Sequence, residues 1–203
     1  MSSVVIAGDT SGSVTLAAPA VSGTTTLTLP TTSGTIVTSA SSLTASQLPT
    51  GSVLQVVSTA KTDTFSSTST SFADVTGLTA TITPSSTSSK ILITASISHG
   101  RSSAILNHFK LLRGATDIAI GDTGGAGARS TIGSYLGSAD SNSDLITSTI
   151  QFLDSPSTTS STTYKIQTKV QDSGGTSYIN RSGTDGAYGS RAISTITVME
   201  IKG

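Results

Sequence analysis

The sequence predicts an all-β protein in which a C-terminal β-sandwich of the jelly-roll type follows an extended N-terminal segment of short β repeats. Three observations support this fold class. Ser and Thr make up more than a third of the 203 residues, and residues that favour helices are scarce in every window. Short alternating apolar and polar runs are separated by turn residues about every 8 to 14 positions. Near the N-terminus, one short unit occurs three times with a period of about 11 residues.

The repeated units begin at Ser11, Ser22 and Ser33, and each opens with a Ser-Gly turn pair. An extended run follows in each unit, with one narrow apolar stripe and one Ser/Thr face. A sheet with so narrow a stripe is marginal in water and needs a partner. We expect the same segment of other chains to be that partner, wound around a common axis; a flexible leader and packing on the chain's own domain are the alternatives. The predicted assembly interface is Val14, Leu16, Leu27, Leu29 and Ile36.

The domain boundaries follow from changes in sequence texture. Residues 1–43 form the repeat segment, and residues 44–51 read as a linker with a turn at Pro49-Thr50-Gly51. From residue 52 onward the alternating runs are longer. Residues 52–203 are therefore predicted to form the sandwich, which we expect to act as a head domain.

Strands are predicted from the alternation. The run Ala104–Arg113 also has helical spacing, but bounding glycines and its length favour a strand. Lys61–Gly77 is interpreted as a long loop or edge strand with two Phe anchors. The last strand is apolar on both faces, which is typical of a strand between two packed layers or at an oligomer axis. The predicted strands are residues 4–7, 53–59, 79–83, 90–98, 104–113, 117–121, 131–136, 145–153, 163–170 and 192–202.

Composition narrows the classes of function. Charged residues are only 11% of the chain and balance to a formal net charge of zero, so no basic field for nucleic acid is expected. The low charge favours a surface that is partly buried in an assembly. Cysteine is absent, which excludes disulfides and thiolate metal sites. We find neither a signal-like N-terminus nor a run of about 18 apolar residues. We therefore expect that the protein does not insert into a membrane and that it assembles in the cytoplasm of a host.

Two motifs resemble parts of protease active sites. Asp172-Ser173-Gly174-Gly175 has the residues around the nucleophile of trypsin-like enzymes, but the context of His99 is wrong for the base. Asp122-Thr123-Gly124 is the tripeptide of aspartic proteases, which need two such carboxylates. Turns explain both motifs, and we predict that the protein is not an enzyme.

The sequence gives equally little support to a metal site or a cofactor site. Asp140, Asn142 and Asp144 have the spacing of a calcium loop, but Leu145 stands in the place of its Gly and Gln151 in that of its Glu, which favours a plain polar loop. Gly121–Arg129 matches no phosphate-binding fingerprint. His99 and His108, with Arg101 nearby, lack a third metal ligand, which favours core or interface roles. We predict no cofactor.

Two long loops, residues 121–144 and 172–191, carry the residues best suited to recognition. Tyr rings stack and Arg guanidinium groups donate paired hydrogen bonds, so Tyr and Arg among small polar residues make a good contact surface for a saccharide or a protein. The alternative is ordinary loops with Tyr side chains in the core. The candidate receptor-contact residues are Arg129, Tyr135, Tyr178, Arg181, Tyr188 and Arg191.

Two stretches resemble a known family. Gly8–Thr38, GDTSGSVTLAAPAVSGTTTLTLPTTSGTIVT, resembles the Ser-Gly and Thr-Leu-Pro repeats of bacteriophage tail-fibre and other virion-fibre proteins. Ile193–Gly203, ISTITVMEIKG, resembles the closing strand of the β-rich heads that such fibres carry. The resemblance implies a homotrimer in the virion, with an N-terminal part that intertwines or docks on other virion proteins and a head that faces outward.

The expected function is therefore that of a virion structural protein, a short tail fibre or a head fibre that contacts a glycan or protein receptor on the host. A capsid-decorating protein is the alternative within the same class. A hydrolase and a bacterial surface adhesin are the alternatives from other classes; an adhesin would need a secretion signal or a sorting tail.

Overall fold

A computed structural model describes residues 3–7, 11, 13–17, 31, 43–102, 105–135 and 142–203. The chain divides into two compact units, residues 1–42 and 43–203.

The first unit contains an antiparallel hairpin of β1 (Ser3–Ala7) and β2 (Ser13–Ala17). Strand β1 confirms the strand predicted at residues 4–7, and β2 is the extended run of the first repeat. Val14 lies opposite Ile6 and Leu16 opposite Val4. The predicted interface residues Leu27, Leu29 and Ile36 lie outside the described residues.

The described part of the second unit is built almost wholly of strands, preceded by a 3-10 turn at Ala45–Gln47. No helix in the described part of the chain is long and apolar enough to cross a membrane. The strands are β3 (Val53–Lys61), β4 (Phe65–Ser67), β5 (Ala73–Ile82), β6 (Lys90–Arg101), β7 (Leu106–Arg113), β8 (Thr116–Ile118), β9 (Ile132–Tyr135), β10 (Ile146–Asp154), β11 (Thr162–Val170), β12 (Ser177–Ile179) and β13 (Ser194–Ile201).

These strands form two antiparallel sheets. The first sheet runs β3-β13-β6-β10. Strand β12, which pairs with β4, also pairs with the last part of β6. His99 lies opposite Ile146 of β10 on one side and Ile179 of β12 on the other, so β12 continues the edge of β6 that β13 occupies. The second sheet runs β5-β11-β7, and the far edge of β7 is shared by β8 and β9. The predicted all-β sandwich is confirmed.

The order of pairing is that of a jelly roll. The first strand of this unit pairs with the last (β3 with β13), the second with the next to last (β4 with β12) and the third with the third from last (β5 with β11). Strand β6 pairs with β10, and β7 pairs with β8 and β9, which follow it. Each pair encloses the next along the chain, as in one long hairpin folded over into two sheets. The central strands of each sheet therefore come from distant parts of the sequence.

The core lies between the two sheets and follows the alternation that predicted the strands. On β6 the alternating residues Ile91, Ile93, Ala95 and Ile97 are buried, and Leu106–Arg113 of the predicted run 104–113 form a strand. Strand β13 is central in the first sheet, with one face in the core and one outward. The core residues are Val75, Leu78, Ala80, Ile82, Ile91, Ile93, Ala95, Ile97, Phe109, Leu111, Ile150, Tyr164, Ile166, Ile179, Ile196 and Val198.

The chain enters the jelly roll beside the end of its last strand. Gly51 N donates a hydrogen bond to Lys202 O at 2.8 Å, and Lys202 N donates to Ser52 O at the same distance. The Lys202 ammonium donates to Ser46 O at 3.1 Å. Part of the segment interpreted as a linker is thus hydrogen-bonded to the end of β13, and it belongs to the second unit. This end of the first sheet is called the entry end below.

Candidate functional site

The predicted contact residue Arg181 stacks on Tyr178. The Arg181 guanidinium carbon lies 3.7 Å from the centre of the Tyr178 ring, a distance at which a cation is attracted to the ring face. Arg181 Nη1 also donates to the carbonyl oxygens of Ser182 and Gly183, at 3.2 and 3.3 Å. Two backbone hydrogen bonds therefore hold the Arg181 guanidinium in place over the Tyr178 ring.

Asn180 brings these two side chains together. Its φ of 63° places it in the left-handed region, which Asn tolerates better than most residues, and the chain reverses there. Asn180 is fully buried, and its Nδ2 donates to Lys61 O and Asp63 O at 2.7 and 2.8 Å. Its Oδ1 accepts a 2.6 Å hydrogen bond from Ser194 Oγ. The turn is thus anchored to β3 and β13.

The loop that follows closes on itself. Arg181 and Arg191 form an isolated β-bridge, and Ser182 N donates to Ser190 O at 3.0 Å. Arg191 makes a forked pair with Asp185, with its Nη2 at 2.9 and 2.7 Å from the two carboxylate oxygens. Tyr188 lies within this closed loop and is 88% exposed. An exposed aromatic ring on an ordered loop suits binding, because little conformational freedom remains to be lost.

The second sheet contributes Tyr135 to the candidate site. It ends β9, is 56% exposed, and its ring centre lies 5.3 Å from the guanidinium carbon of Arg101. Arg101 is buried at the end of β6 and donates from Nη1 to Ile105 O at 3.2 Å. Ser177, next to Tyr178, lies opposite Arg101 in the first sheet. Tyr135 and the Tyr178 stack therefore belong to the same end of the sandwich.

We call this set the Tyr/Arg cluster: Tyr135, Tyr178, Arg181, Tyr188 and Arg191, with Arg101 beneath. The sequence indicated the first five but not Arg101, because its place at the end of β6 depends on where the strand ends. Arg129, the sixth candidate, holds its own loop, donating from Nε to Gly121 O at 2.9 Å. Asp185 balances the charge of Arg191, whereas Arg181 forms no ion pair with any described residue. The cluster thus offers stacked rings and a cation.

The protease-like motifs lie in exposed turns. Ser173 follows β11, and it has no hydrogen bond to either histidine in the described structure. Asp122 accepts a hydrogen bond from Gly124 N at 3.2 Å, which is an Asx turn. The turns that the sequence favoured at both motifs are present.

The two histidines have separate surroundings. His99 is buried in the core against Phe109, with ring centres 4.8 Å apart, whereas His108 is on β7 and contacts Gln171 Oε1 at 3.0 Å. Burial lowers the pKa of His99 to about 4 and also lowers that of His108. No described contact joins the two histidines.

Of the three residues with the spacing of a calcium loop, Asp140 lies outside the described residues. Asn142 uses its carbonyl oxygen to accept from Thr184 N at 2.7 Å, and Asp144 is exposed. Within the described residues, no group of three or more His, Asp or Glu side chains is arranged to hold a metal ion.

Comparison of the chain with protein-family models gives no match, and comparison with curated proteins gives none either.

Proposed function

We propose that this chain is a structural protein of a bacteriophage virion, a short tail fibre or a head fibre, and not an enzyme. In this proposal the N-terminal repeat segment assembles the chain as a homotrimer and attaches it to other virion proteins. The jelly roll is the head, and the Tyr/Arg cluster contacts a glycan or protein receptor on the host surface. The site of action is the virion, and no cofactor or nucleic acid is involved.

The observation that carries the proposal is the polarity of the jelly roll. The chain enters at the end of the first sheet where Val53 lies opposite Ile201. The Tyr/Arg cluster is at the other end, where Lys61 lies opposite Ser194 and β6 ends at Arg101. The nine residues of β3 separate the two ends by about 30 Å, at about 3.3 Å per residue. A domain held at its entry end would present the cluster away from its attachment.

Immunogold electron microscopy tests the proposal. Antibodies raised against residues 43–203 are applied to purified virions whose genome encodes this chain. A fibre gives label at the tail or at discrete capsid positions, whereas a decoration protein labels the whole capsid. Virions without label overturn the proposal.

The receptor role has its own test. Labelled protein is incubated with host cells, and binding is compared for the unaltered chain, Tyr188→Ala and Thr81→Ala, a control on the outward face of the second sheet. We expect loss of binding for Tyr188→Ala alone. Equal binding of all three proteins would remove the receptor role from the cluster.

A further inference from the structure

The two outward faces of the sandwich differ in charge. The outward face of the second sheet is ionic: Lys165 pairs with Asp74 at 2.8 Å, and Lys110 pairs with Asp117 at 2.5 Å. The Lys110 ammonium also lies 4.3 Å from the centre of the Phe72 ring. Such a face, with its charges partly exposed and paired, is what water-facing strands normally carry.

Among the described residues, the outward face of the first sheet has no charged side chain between its rims. Its four long strands alternate between core residues and outward residues that are Ser, Thr, Gln or apolar. Lys90, at the start of β6, bonds to Ser155 Oγ at 3.0 Å and marks the rim. We call this the neutral face: Val56, Ser58, Ala60, Leu92, Thr94, Ser96, Thr147, Thr149, Gln151, Leu153, Thr195, Thr197 and Met199.

The strand register sorts the neutral face into rows. Met199 lies opposite Val56 on one side and opposite Leu92 on the other, and Leu92 lies opposite Leu153. These four side chains form one apolar row across four strands. Val56 is 56% exposed and Leu153 is 49% exposed, so the row is open at both ends. An exposed contiguous apolar row is a feature of interaction sites more than of free surface.

The next two rows are made of small polar residues. Ser58, Thr197, Thr94 and Gln151 lie opposite one another across the same strands, followed by Ala60, Thr195, Ser96 and Thr149. Over these rows lies a shallow hollow of about 290 Å³, lined by Thr94, Ser96, Thr149, Gln151, Thr195 and Thr197. Its hydroxyl groups both donate and accept hydrogen bonds, so such a row is complementary to another copy of itself.

We propose that the neutral face is the contact between copies of this chain, arranged around an axis that runs along the strands. Around such an axis each row becomes a layer: the four apolar residues meet their counterparts, and the hydroxyl rows meet hydroxyl rows. A charged partner has nothing to pair with on this face, whereas the chain itself supplies a neutral face of matching rows. The proposal rests on the homotrimer of the proposed function and moves a subunit contact into the head.

The size of the neutral face limits how strong this contact can be on its own. Four strands about 4.8 Å apart and about 30 Å long give a projected area of roughly 550 Å² for each copy. In a homotrimer three such faces give roughly 1,650 Å² around the axis, or roughly 550 Å² for each pair of copies, which is below the range of about 1,200 to 2,000 Å² that specific pairwise interfaces bury. The repeat segment would therefore complete the contact by holding the copies close together.

The test compares variants of the full chain that each carry one new charge, either on the neutral face or on the outward face of the second sheet. Thr197 shares a 2.8 Å hydrogen bond with Ser58 on the neutral face, and Thr81 shares a 2.8 Å hydrogen bond with Thr163 on the ionic face. Thr197→Glu and Thr81→Glu are therefore matched changes. Gln151→Glu adds a charge at an exposed position of the neutral face without changing side-chain shape, and keeps the test valid if Thr197→Glu fails to fold. Circular dichroism checks folding, and light scattering over a range of concentrations gives the mass.

We expect the unaltered chain and Thr81→Glu to be assembled. The concentration at which the assembly dissociates should be at least ten-fold higher for Thr197→Glu and for Gln151→Glu than for the unaltered chain, because like charges facing each other across a contact repel strongly. Unchanged dissociation in both neutral-face variants would overturn the proposal, and so would an unaltered chain that stays monomeric throughout. Immunogold labelling of virions is independent of either outcome and tests the proposed function separately.

Discussion

Tyr164 donates a hydrogen bond to Asp154 from within the core, with 2.7 Å between the hydroxyl oxygen and Oδ2. Tyr164 is fully buried, and Arg113 Nη1 lies 2.9 and 2.8 Å from the two carboxylate oxygens of Asp154. Burial, followed by the neighbouring carboxylate, raises the pKa of Tyr164 far above its usual value, so the phenol stays protonated and keeps donating. One side chain thus joins β11 to β10 across the two sheets.

Removing this hydroxyl should be costly. We expect Tyr164→Phe to lower the free energy of unfolding by about 1.5 to 3 kcal/mol, the range for hydrogen bonds to charged groups. Tyr178→Phe is the control, since the Tyr178 hydroxyl has no hydrogen bond to any described residue, and its effect should stay within about 0.5 kcal/mol. Urea unfolding of the two variants measures both values, and equal effects would contradict this account.

Glu200 is a buried carboxylate stabilised by neutral donors. Its Oε1 accepts from Ser85 N, Ser85 Oγ and Ser89 Oγ at 2.7, 2.6 and 2.6 Å, and its Oε2 accepts from Gln55 Nε2 at 2.6 Å. Burial raises the pKa of Glu200, but these hydrogen bonds outweigh burial and hold the pKa below its usual value. The resulting stability is present above the pKa of an unfolded Glu and is lost as the pH falls through the folded value.

We therefore expect Glu200→Gln to destabilise the protein by about 1 to 3 kcal/mol at pH 7, because an amide NH₂ cannot accept the hydrogen bonds that one carboxylate oxygen accepts. Asp172→Asn, at an exposed turn position, is the control for loss of one negative charge. Chemical denaturation at pH 7 compares the two variants. A Glu200→Gln variant as stable as Asp172→Asn would show that the buried charge contributes nothing.

The alternation of single strands was predictable, but their register was not. The run around Ile93 and the two-faced pattern of β13 are visible in the sequence because each depends on a period of two within one strand. The apolar row of the neutral face is not visible, because Met199 meets Leu92 and Val56 only through pairing across long loops. A register shift between Glu200 and Ile201, just beyond this row, is equally invisible in the sequence. A one-residue slip would have turned the same side chains inward.

The candidate site was predictable in composition but not in arrangement. Tyr178 and Arg181 are three residues apart, and an extended chain would direct them to opposite faces. They stack only because Asn180 takes a left-handed conformation, which its buried hydrogen bonds to Lys61 and Ser194 stabilise. Lys61 is 119 positions away from Asn180 along the sequence, and Ser194 is 14 positions away. Only the folded chain shows why this Asn is needed there.

The loop of the Tyr/Arg cluster rests directly on the end of β6. A methyl group added at Gly183 would lie 2.0 Å from Arg101 O, a backbone atom that has no room to move aside. We expect Gly183→Ala to destabilise the protein by about 1 to 3 kcal/mol or to displace the loop. Gly127→Ala is the matched control, because a methyl group there meets no atom within 4 Å. Unfolding curves and the fluorescence of the cluster tyrosines measure the two effects; a Gly183→Ala variant that behaves like the control would refute this packing.

His99 should make stability depend on pH between pH 7 and pH 5. Its ring is fully buried, accepts from Asn107 Nδ2 at 3.3 Å and lies 3.0 Å from Ser148 Oγ, and burial lowers its pKa from 6.5 to about 4. The unfolded chain therefore binds a proton at a higher pH than the folded chain does. The stability due to this group is complete above about pH 6.5 and is lost as the pH falls toward 4.

With a pKa of 6.5 in the unfolded chain and about 4 in the folded chain, His99 lowers the free energy of unfolding by about 2 kcal/mol between pH 7 and pH 5. We expect His99→Gln, which keeps hydrogen-bonding groups but does not titrate, to remove most of this slope, although it also lowers stability at pH 7. The depressed pKa values of Glu200, Asp63 and Asp74 act at lower pH and leave this window clear. His108, whose pKa burial also lowers, contributes in the same direction, so His108→Gln is measured beside it. Urea midpoints at pH 5, 6 and 7 give the slopes, and an unchanged slope in His99→Gln would show that His99 is not the titrating group.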